Sequence, residues 1–338
     1  MKIAVVIPCR NEVRNIAECI HAIYASDLPE NCELIVNVVD GKSNDGTLEI
    51  IEELQQQYAG LQVVVNEKQL TPYAFNLGIY AAKEADFYQI IGARQVVSVN
   101  YLKEAAATLQ SNPEIWCVGG SVDNVFLNEE GKMIAKAMGT SFGMGLGNFR
   151  TLSESGFVDT VGTPMYPAWV FEKIGYFDEE LVRNQDDDFN FRVTKAGGKI
   201  WYHAGISLKY YVRGSISQLW KQFMQYGYWK VYVNKKHKAV TTLRQLVPPL
   251  FVLFLFLIPI LFLINLLLGT IGLSFLGIYL VLALLVTARI AGNVGEFNRI
   301  LVIFPILHIS YGWGYLKGIV RFLIAGQKPG DNYKKMSR

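Results

Sequence analysis

The sequence predicts an α/β protein in which a mostly parallel sheet, flanked by helices, is followed by a helical membrane region. Three observations carry this. Over the first ninety or so residues, short apolar runs rich in β-branched residues alternate with segments whose apolar residues recur at helical spacing. Strands separated by such helices imply βαβ units. Finally, from Gln245 to Ala288 there is no Asp, Glu, Lys or Arg, whereas residues 1–240 carry charge at ordinary density. That composition shift sets a boundary near residues 236–245. It leaves a globular domain over residues 1–235 and a membrane region of two or three helices over residues 245–325.

Ile3–Ile7 is the first strand, and Asn15–Tyr24 follows with Ile16, Ile20 and Ile23 on one helical face. Leu34–Val39 is a second strand and Thr47–Tyr58 a second helix, with Leu48, Ile51 and Leu54 aligned. Leu61–Val65, Thr71–Ala82 and Phe87–Ile91 continue the pattern as strand, helix and strand. In open α/β sheets ligands bind beyond the carboxyl ends of the strands. Here those ends are Pro8–Glu12, Asp40–Thr47 and Gly92–Ser98. Past Gly119 the alternation loosens. The Gly-rich stretch GTSFGMGLGNF (139–149) reads either as a mobile functional loop or as a plain surface loop.

Ile216–Val231 places apolar residues at helical spacing among Trp220, Tyr226, Tyr228, Trp229 and Tyr232, and Lys235, Lys236, Lys238 and Arg244 follow. An amphipathic, aromatic and then basic segment beside a span predicts a helix lying in the membrane interface, residues 216–234. The alternative is a core helix of the globular domain. Two crossings follow, about Leu246–Leu268 and Ile271–Ile290, joined by a tight turn at Gly269–Gly272. The basic run before them places the large domain on the cytoplasmic side of a multi-pass inner-membrane protein. Ile300–Ala325 is ambiguous. It holds His308, Lys317 and Arg321, and a mid-span Lys or Arg costs roughly 2.5–3.5 kcal/mol on insertion scales. A crossing would also put the basic tail (Lys328, Lys334, Lys335, Arg338) outside, so a short, tilted or re-entrant segment is equally open.

Composition excludes several classes. Half the residues are hydrophobic and mean hydropathy is +0.22, high for a water-soluble enzyme. A formal charge of +3 is too small for a nucleic-acid partner, which needs a concentrated basic face. Cysteines at 9, 19, 32 and 117 form no C-x-x-C pair and have no His at metal spacing, so they read as packed, reduced thiols rather than a zinc site. The apolar run in MKIAVVIPCRNE is too short for a signal peptide.

The polar motifs sit where the fold predicts a ligand. VVIPCRNE (5–12) ends the first strand, and VVDGKSNDGT (38–47) ends the second with Asp40 and a turn built from Gly41, Asn44, Asp45 and Gly46. Each motif alone is weak, since Asp-Gly marks turns and Asp or Asn before a helix is commonly a cap. NQDDDFNFR (184–192) opens a further helix with Asn184 as its N-cap, which puts Asp186 and Asp188 in the first turn, where the helix dipole favours ionised carboxylates.

With these pieces stand NEKQLTPYAFNLGIYAAKEAD (66–86), VGG (118–120), GYFDEELVRNQDDDFNFRVTKAGGKIWY (175–202) and RGSISQLWKQFMQYGYWK (213–230). Over roughly residues 3–230 the chain resembles the family 2 glycosyltransferases of the GT-A fold, and QFMQYGYWK with the membrane part looks most like the branch that builds succinoglycan and related exopolysaccharides. The resemblance implies a Rossmann-like catalytic domain. It implies that Pro8, Arg10, Glu12, Asp40 and Asp45 surround a nucleotide, that Asp186 is the catalytic base, and that Asp188 supports it. Arg213, Gln222 and Trp229 match the region that closes over donor and acceptor; Arg213 or Lys221 would meet diphosphate oxygens, or else both are snorkelling interfacial cations.

One departure bears on cofactors. The family carries an Asp-x-Asp, or one Asp, after the fourth strand, and its last Asp binds a divalent cation, Mg or Mn. Here FYQIIGARQVVS (87–98) puts Gly92 and Arg94 at those positions, and neither can ligate a metal. Arg94 itself neutralises the diphosphate, the metal is held elsewhere, or the chain is catalytically impaired; the metal assignment is therefore unknown.

The expected activity is an inverting transfer of a sugar from a nucleotide donor, UDP-hexose by resemblance, to a lipid-linked saccharide at the membrane. A polysaccharide-synthesis complex is a further expected partner. The alternatives are a polyprenyl-phosphate sugar synthase and a non-catalytic scaffold lacking the metal motif.

Overall fold

The structure, a computed structural model, describes residues 1–145, 151–212 and 214–329. In chain order its first elements are β1 (Lys2–Cys9), α1 (Ile16–Tyr24), β2 (Glu33–Asp40), α2 (Thr47–Gln55), β3 (Leu61–Val65), α3 (Thr71–Tyr80) and β4 (Phe87–Ile90). There follow β5 (Gln95–Val97), α4 (Tyr101–Ser111), β6 (Ile115–Val125), α5 (Glu129–Met138) and α6 (Ser141–Met144). Next come β7 (Gly156–Val158), β8 (Gly162–Pro167), α7 (Ala168–Ile174), α8 (Gln185–Lys195) and β9 (Lys199–Tyr211). The chain closes with α9 (Ile216–His237), α10 (Val247–Ile264), α11 (Leu266–Ile290) and α12 (Val294–Gly318), the last extended by a π-helical turn at Ile319–Ile324.

Two compact units result: Met1–Asp123 with Leu152–Tyr211, and Asn124–Thr151 with Val212–Arg338. This differs from a boundary at 236–245. Residues 124–145 and 214–235 belong with the C-terminal helices, where α9 packs along α12.

In the first unit the strands run in the order β3-β2-β1-β4-β8-β6-β9-β5, with β7 on β9. The β3-β2-β1-β4 half is parallel. β8 then pairs antiparallel with both β4 and β6, and β9 does so with β5 and β7. The mostly parallel sheet expected from sequence therefore holds for the first four strands only. β1 lies at the centre, its Ile3–Ile7 wholly buried, as a continuous apolar run covered on both faces requires. Because β2 and β3 build outward on one side of β1 and β4 adds to the other, the strand order switches between β1 and β4. That switch opens a crevice at their carboxyl ends.

Two buried amides lock this half. Asn37 Nδ2 donates to the Gly78 carbonyl at 2.8 Å, joining β2 to α3, and Gln89 Nε2 donates to the Thr163 carbonyl at 2.8 Å, joining β4 to the start of β8.

The second unit is helical. α10, α11 and α12 with its extension are each long and apolar enough to cross a membrane. The tight turn expected at Gly269–Gly272 is instead a break at Asn265. The Asn265 side chain accepts from the Leu267 amide at 2.7 Å and caps α11, while Gly269 sits inside that helix, where a Cβ would strike the Phe262 ring.

α9 and α12 meet along a glycine seam. A Cβ at Gly227 would fall 2.0 Å from the Tyr311 carbonyl, and one at Gly314 would fall 2.0 Å from the Met224 carbonyl. Such contacts let two backbones approach as small residues do in membrane helix pairs. The seam explains why α9 is buried nearly all round and not along one stripe.

Residues 139–145 form neither kind of loop expected of them, the remainder of that stretch lying outside the described residues. α6 tucks Phe142 among Tyr279, Phe304 and His308. His308 Nε2 lies 2.9 Å from the Phe142 carbonyl, which can only accept, so Nε2 carries the proton and Nδ1 is left to accept from the Tyr279 hydroxyl at 3.0 Å. Glu296, at the start of α12, pairs with Lys132 at 2.8 Å and Lys136 at 2.5 Å and so ties α5 to the same bundle.

Candidate active site

The crevice at the switch point is built by hydrogen bonds between the loops after β1 and β2. Asp40, 2% exposed at the end of β2, accepts from the Ser43 amide at 2.9 Å and the Ser43 hydroxyl at 2.5 Å. Ser43 Oγ accepts in turn from the Asn11 amide at 2.8 Å, and Asn11 Oδ1 accepts from the Asn44 amide at 3.0 Å. Asn11 takes left-handed backbone, φ 54°, a conformation Asn tolerates better than most residues. Thr47 Oγ1 accepts from the Glu12 amide at 2.9 Å. The two loops are thereby one rigid polar frame.

Asp45 holds the far side of that frame. Burial works to raise its pKa, but hydrogen bonds from the Thr47 hydroxyl and from the Val13 and Thr47 amides outweigh it, and the carboxyl is held below its ordinary value. Burial pushes the neighbouring Cys9 thiol far up, with Asp40 and Glu12 adding to it, and burial takes Cys19 up to about 12. These thiols stay protonated and act as core residues.

Arg10 lies across Gly41, where a Cβ would come within 3.3 Å of Arg10 Cβ and Cδ; glycine is what lets it lie there. Its Nε is buried with no hydrogen-bond partner among the described residues. A buried guanidinium N–H lacking an acceptor is a cost that an incoming oxygen would relieve. Pro8, half-buried near the end of β1, shapes the strand exit.

Arg94, just past β4, donates through Nε to both carboxylate oxygens of Glu12 at 2.8 Å. This pair spans the crevice between β1 and β4. It also tests the divalent cation. Gly92 offers no donor side chain, Arg94 is a cation, and the Glu12 carboxylate is already engaged by Arg94. These residues do not fit a metal ion, and among the described residues no three His, Cys, Asp or Glu side chains gather as a metal cluster.

The acid helix α8 is positioned from several sides. Asn76 of α3 donates to the Phe177 carbonyl at 2.9 Å and to Glu179 at 3.1 Å, while accepting from the Phe177 amide at 3.0 Å. The segment leading into α8 is thus clamped to the parallel half of the sheet. Arg192, one turn beyond the acids, donates to the carbonyls of Ile174, Gly175 and Tyr176 at 2.8, 3.2 and 2.8 Å, and to Asp188 at 3.0 Å. Asp188, 2% exposed, is therefore an internal ion-pair partner. Asn184 does not cap α8 as expected. Its backbone is left-handed, φ 60°, and its Nδ2 donates to Asp187 at 3.0 Å. Of the three acids in this first turn, Asp186 alone is exposed. Burial raises the pKa of the Tyr166 phenol well above its ordinary value, and the Asp186 charge adds to that shift.

The predicted residues separate by unit. Pro8, Arg10, Glu12, Asp40, Asp45, Arg94, Asp186 and Asp188 all lie in the first, whereas Gln222 and Trp229 lie on α9 in the second. Trp229 is wholly buried there beside Tyr228 and Tyr232, and Gln222 is buried with its Nε2 on the Tyr226 hydroxyl at 2.8 Å. Neither offers a surface to a substrate; the aromatic spacing reflects helix packing. Arg213 lies outside the described residues. Ser43 and Thr47 lie inside the flagged loop 40–47 but were not singled out from sequence, and neither were Asn76 and Arg192. Ser and Thr following Asp signal side-chain turns, and Arg four residues past Asp188 is an ion-pair spacing, so three of the four carried a signal.

Residues 1–242 match the family model described as "Glycosyltransferase like family 2". A dolichyl N-acetyl-alpha-D-glucosaminyl phosphate 3-beta-D-2,3-diacetamido-2,3-dideoxy-beta-D-glucuronosyltransferase of Methanococcus voltae is 30% identical over 330 residues, covering 94% of this chain and 97% of the relative. The succinoglycan biosynthesis protein ExoA of Rhizobium meliloti (strain 1021) is 27% identical over 249 residues, 72% of this chain and 73% of the relative. Among solved structures, GalNAc-T7 with UDP, GalNAc and Mn2+ superposes with TM-score 0.52 at 16% identity, over 64% of this chain and 44% of that one, a likeness of fold.

Proposed function

The chain belongs to the family 2 glycosyltransferases, with a mixed α/β sheet of the GT-A kind, and from that premise we propose an inverting transfer of a sugar from a nucleoside diphosphate donor to a lipid-linked saccharide. In this reading the nucleotide rests in the frame of Asp40, Ser43 and Asp45, and Arg10 supplies its orphaned N–H to a donor oxygen. Arg94 faces the departing diphosphate. Guanidinium geometry matches phosphate oxygens in pairs, so Arg94, released from Glu12, neutralises the leaving group where relatives use a metal. The acceptor hydroxyl gives its proton to Asp186 as its oxygen bonds to the anomeric carbon, and the bond to the diphosphate oxygen breaks on the opposite face.

The observation that carries the assignment of the base is the division of labour in the first turn of α8, where Asp187 and Asp188 face Asn184 and Arg192 and Asp186 alone is exposed. A lipid-linked acceptor is supported by the Methanococcus relative's full-length similarity and by three helices able to cross a membrane. The basic residues of 235–244, ahead of α10, favour a cytoplasmic catalytic unit at the inner membrane.

The test is nucleoside diphosphate release by detergent-purified protein, given membrane lipid extract and a panel of nucleotide sugars beginning with UDP-hexoses. Asp186→Asn is expected to lower release by roughly 10²–10⁴-fold with nucleotide affinity little changed, the usual size of a general base's contribution. Activity that persists in EDTA supports the role given to Arg94; activity that needs added Mn²⁺ removes it. A chain that binds no nucleotide and releases none overturns the catalytic reading in favour of a scaffold.

A further inference from the structure

Within the second unit, α9 and the end of α12 enclose a groove of about 310 Å³ lined by Tyr228, Trp313, Leu316, Lys317, Val320 and Arg321. Its composition is unusual for a helix surface. Lys317 and Arg321 stand about one turn apart and both border the same hollow. Among the described residues neither is paired with a carboxylate. Two like charges at this spacing oppose the helix, and among the described residues no carboxylate offsets them.

What does hold the two cations leaves the groove positive. Lys317 Nζ sits 5.5 Å from the centroid of the Trp313 ring, and Arg321 Nε donates to the Lys328 carbonyl at 3.0 Å. Neither contact brings negative charge. The other walls are apolar: Trp313 is 38% exposed and Val320 57% exposed, on a segment apolar enough to lie in a bilayer. Simple snorkelling would carry each cation separately toward water. Here they converge instead on a concave, greasy site. A molecule that complements it carries a negative headgroup and a hydrocarbon chain joined at one end.

We propose that this groove binds an anionic membrane lipid. Its phosphate sits between Lys317 and Arg321, and the first carbons of its chain lie against Trp313 and Val320. The site belongs wholly to the helical unit and does not depend on the transferase chemistry. Its consequence is an anchor point fixed in depth, because the phosphate plane of the bilayer is held at the level of Lys317 and Arg321.

The experiment adds phosphatidylglycerol to the full chain in neutral detergent. Native mass spectrometry counts retained lipid, and quenching of tryptophan fluorescence by the acyl-brominated lipid gives affinity. Lys317→Gln with Arg321→Gln is expected to weaken binding about tenfold, since two phosphate-facing charges are removed. Lys317→Arg keeps it, and Trp313→Phe removes the quenching while lipid is still retained. Three results would overturn the proposal. The first is an equal loss from removing two exposed lysines outside the groove, Lys209→Gln with Lys238→Gln, which marks diffuse attraction. The second is equal retention of phosphatidylcholine. The third is displacement of the lipid by millimolar inorganic phosphate, which marks a site for the free anion.

Discussion

Asp188 exchanges solvent for Arg192, and the pair is anchored by three carbonyls that the same guanidinium reaches. Asp186, two residues earlier on the same turn, keeps its exposure. Their substitution therefore separates stability from activity. Asp188→Ala strands a cation in a mostly buried setting. It is expected to cost about 3 kcal/mol, the low end for breaking a buried pair, because Arg192 retains its carbonyl acceptors. Asp186→Asn is expected to leave the unfolding midpoint almost unmoved. Urea unfolding of both variants, followed by tryptophan emission alongside the release assay, checks this, and a large stability loss for Asp186→Asn would remove the division of labour. The same scale explains Arg94. Its pairing with Glu12 means that anion binding at this position must compete with an existing salt bridge, so Glu12 sets how strongly Arg94 is offered.

At the level of elements, α9 and α12 show how glycine decides a helix pair. A side chain at Gly314 meets the Met224 carbonyl head-on, and relief requires moving two backbones apart. Gly314→Ala is therefore expected to destabilise by about 1–3 kcal/mol, as overpacking of a close-packed interior does. Among the described residues nothing lies within 4 Å of a Cβ placed at Gly277 on α11. Gly277→Ala is expected to be neutral or stabilising by up to about 1 kcal/mol through helix propensity alone. Thermal unfolding in detergent of the two variants, side by side, reads the difference. Equal shifts would mean that the seam does not bear the packing assigned to it.

For the whole molecule, the division into units has a practical consequence. A chain ended at residue 240 keeps the family-matched segment almost intact but removes α10, α11 and α12. It leaves Tyr228, Val231 and Tyr232, buried in the complete chain against α12 and its π-helical turn, without that cover. Exposed apolar surface of that extent drives association. The shortened chain is expected to pellet or elute as aggregate in the absence of detergent, and a monodisperse, detergent-free species on gel filtration would show that α9 has its cover elsewhere.

The residues at the ends of β1, β2 and β4, and the exposed acid opening α8, were legible from sequence because both signals are local. β-branched runs and helical spacing place strand ends, a strand order built from βαβ units places ligands beyond them, and a cluster of Asp before an apolar face marks a first turn. The two long apolar helices were legible for the same reason, an uninterrupted run needing no partner to interpret it. Tertiary structure decided what depended on distant partners. The antiparallel half of the sheet pairs strands whose sequences carry weak periodicity. Arg94 meets Glu12 across eighty-two positions of chain, and Asn76 meets Phe177 across one hundred and one. The aromatic run of α9 reads from sequence as an interfacial face; α12 turns it into a buried seam, because a hydrophobic residue satisfies a lipid and a neighbouring helix equally well and only the fold supplies one or the other.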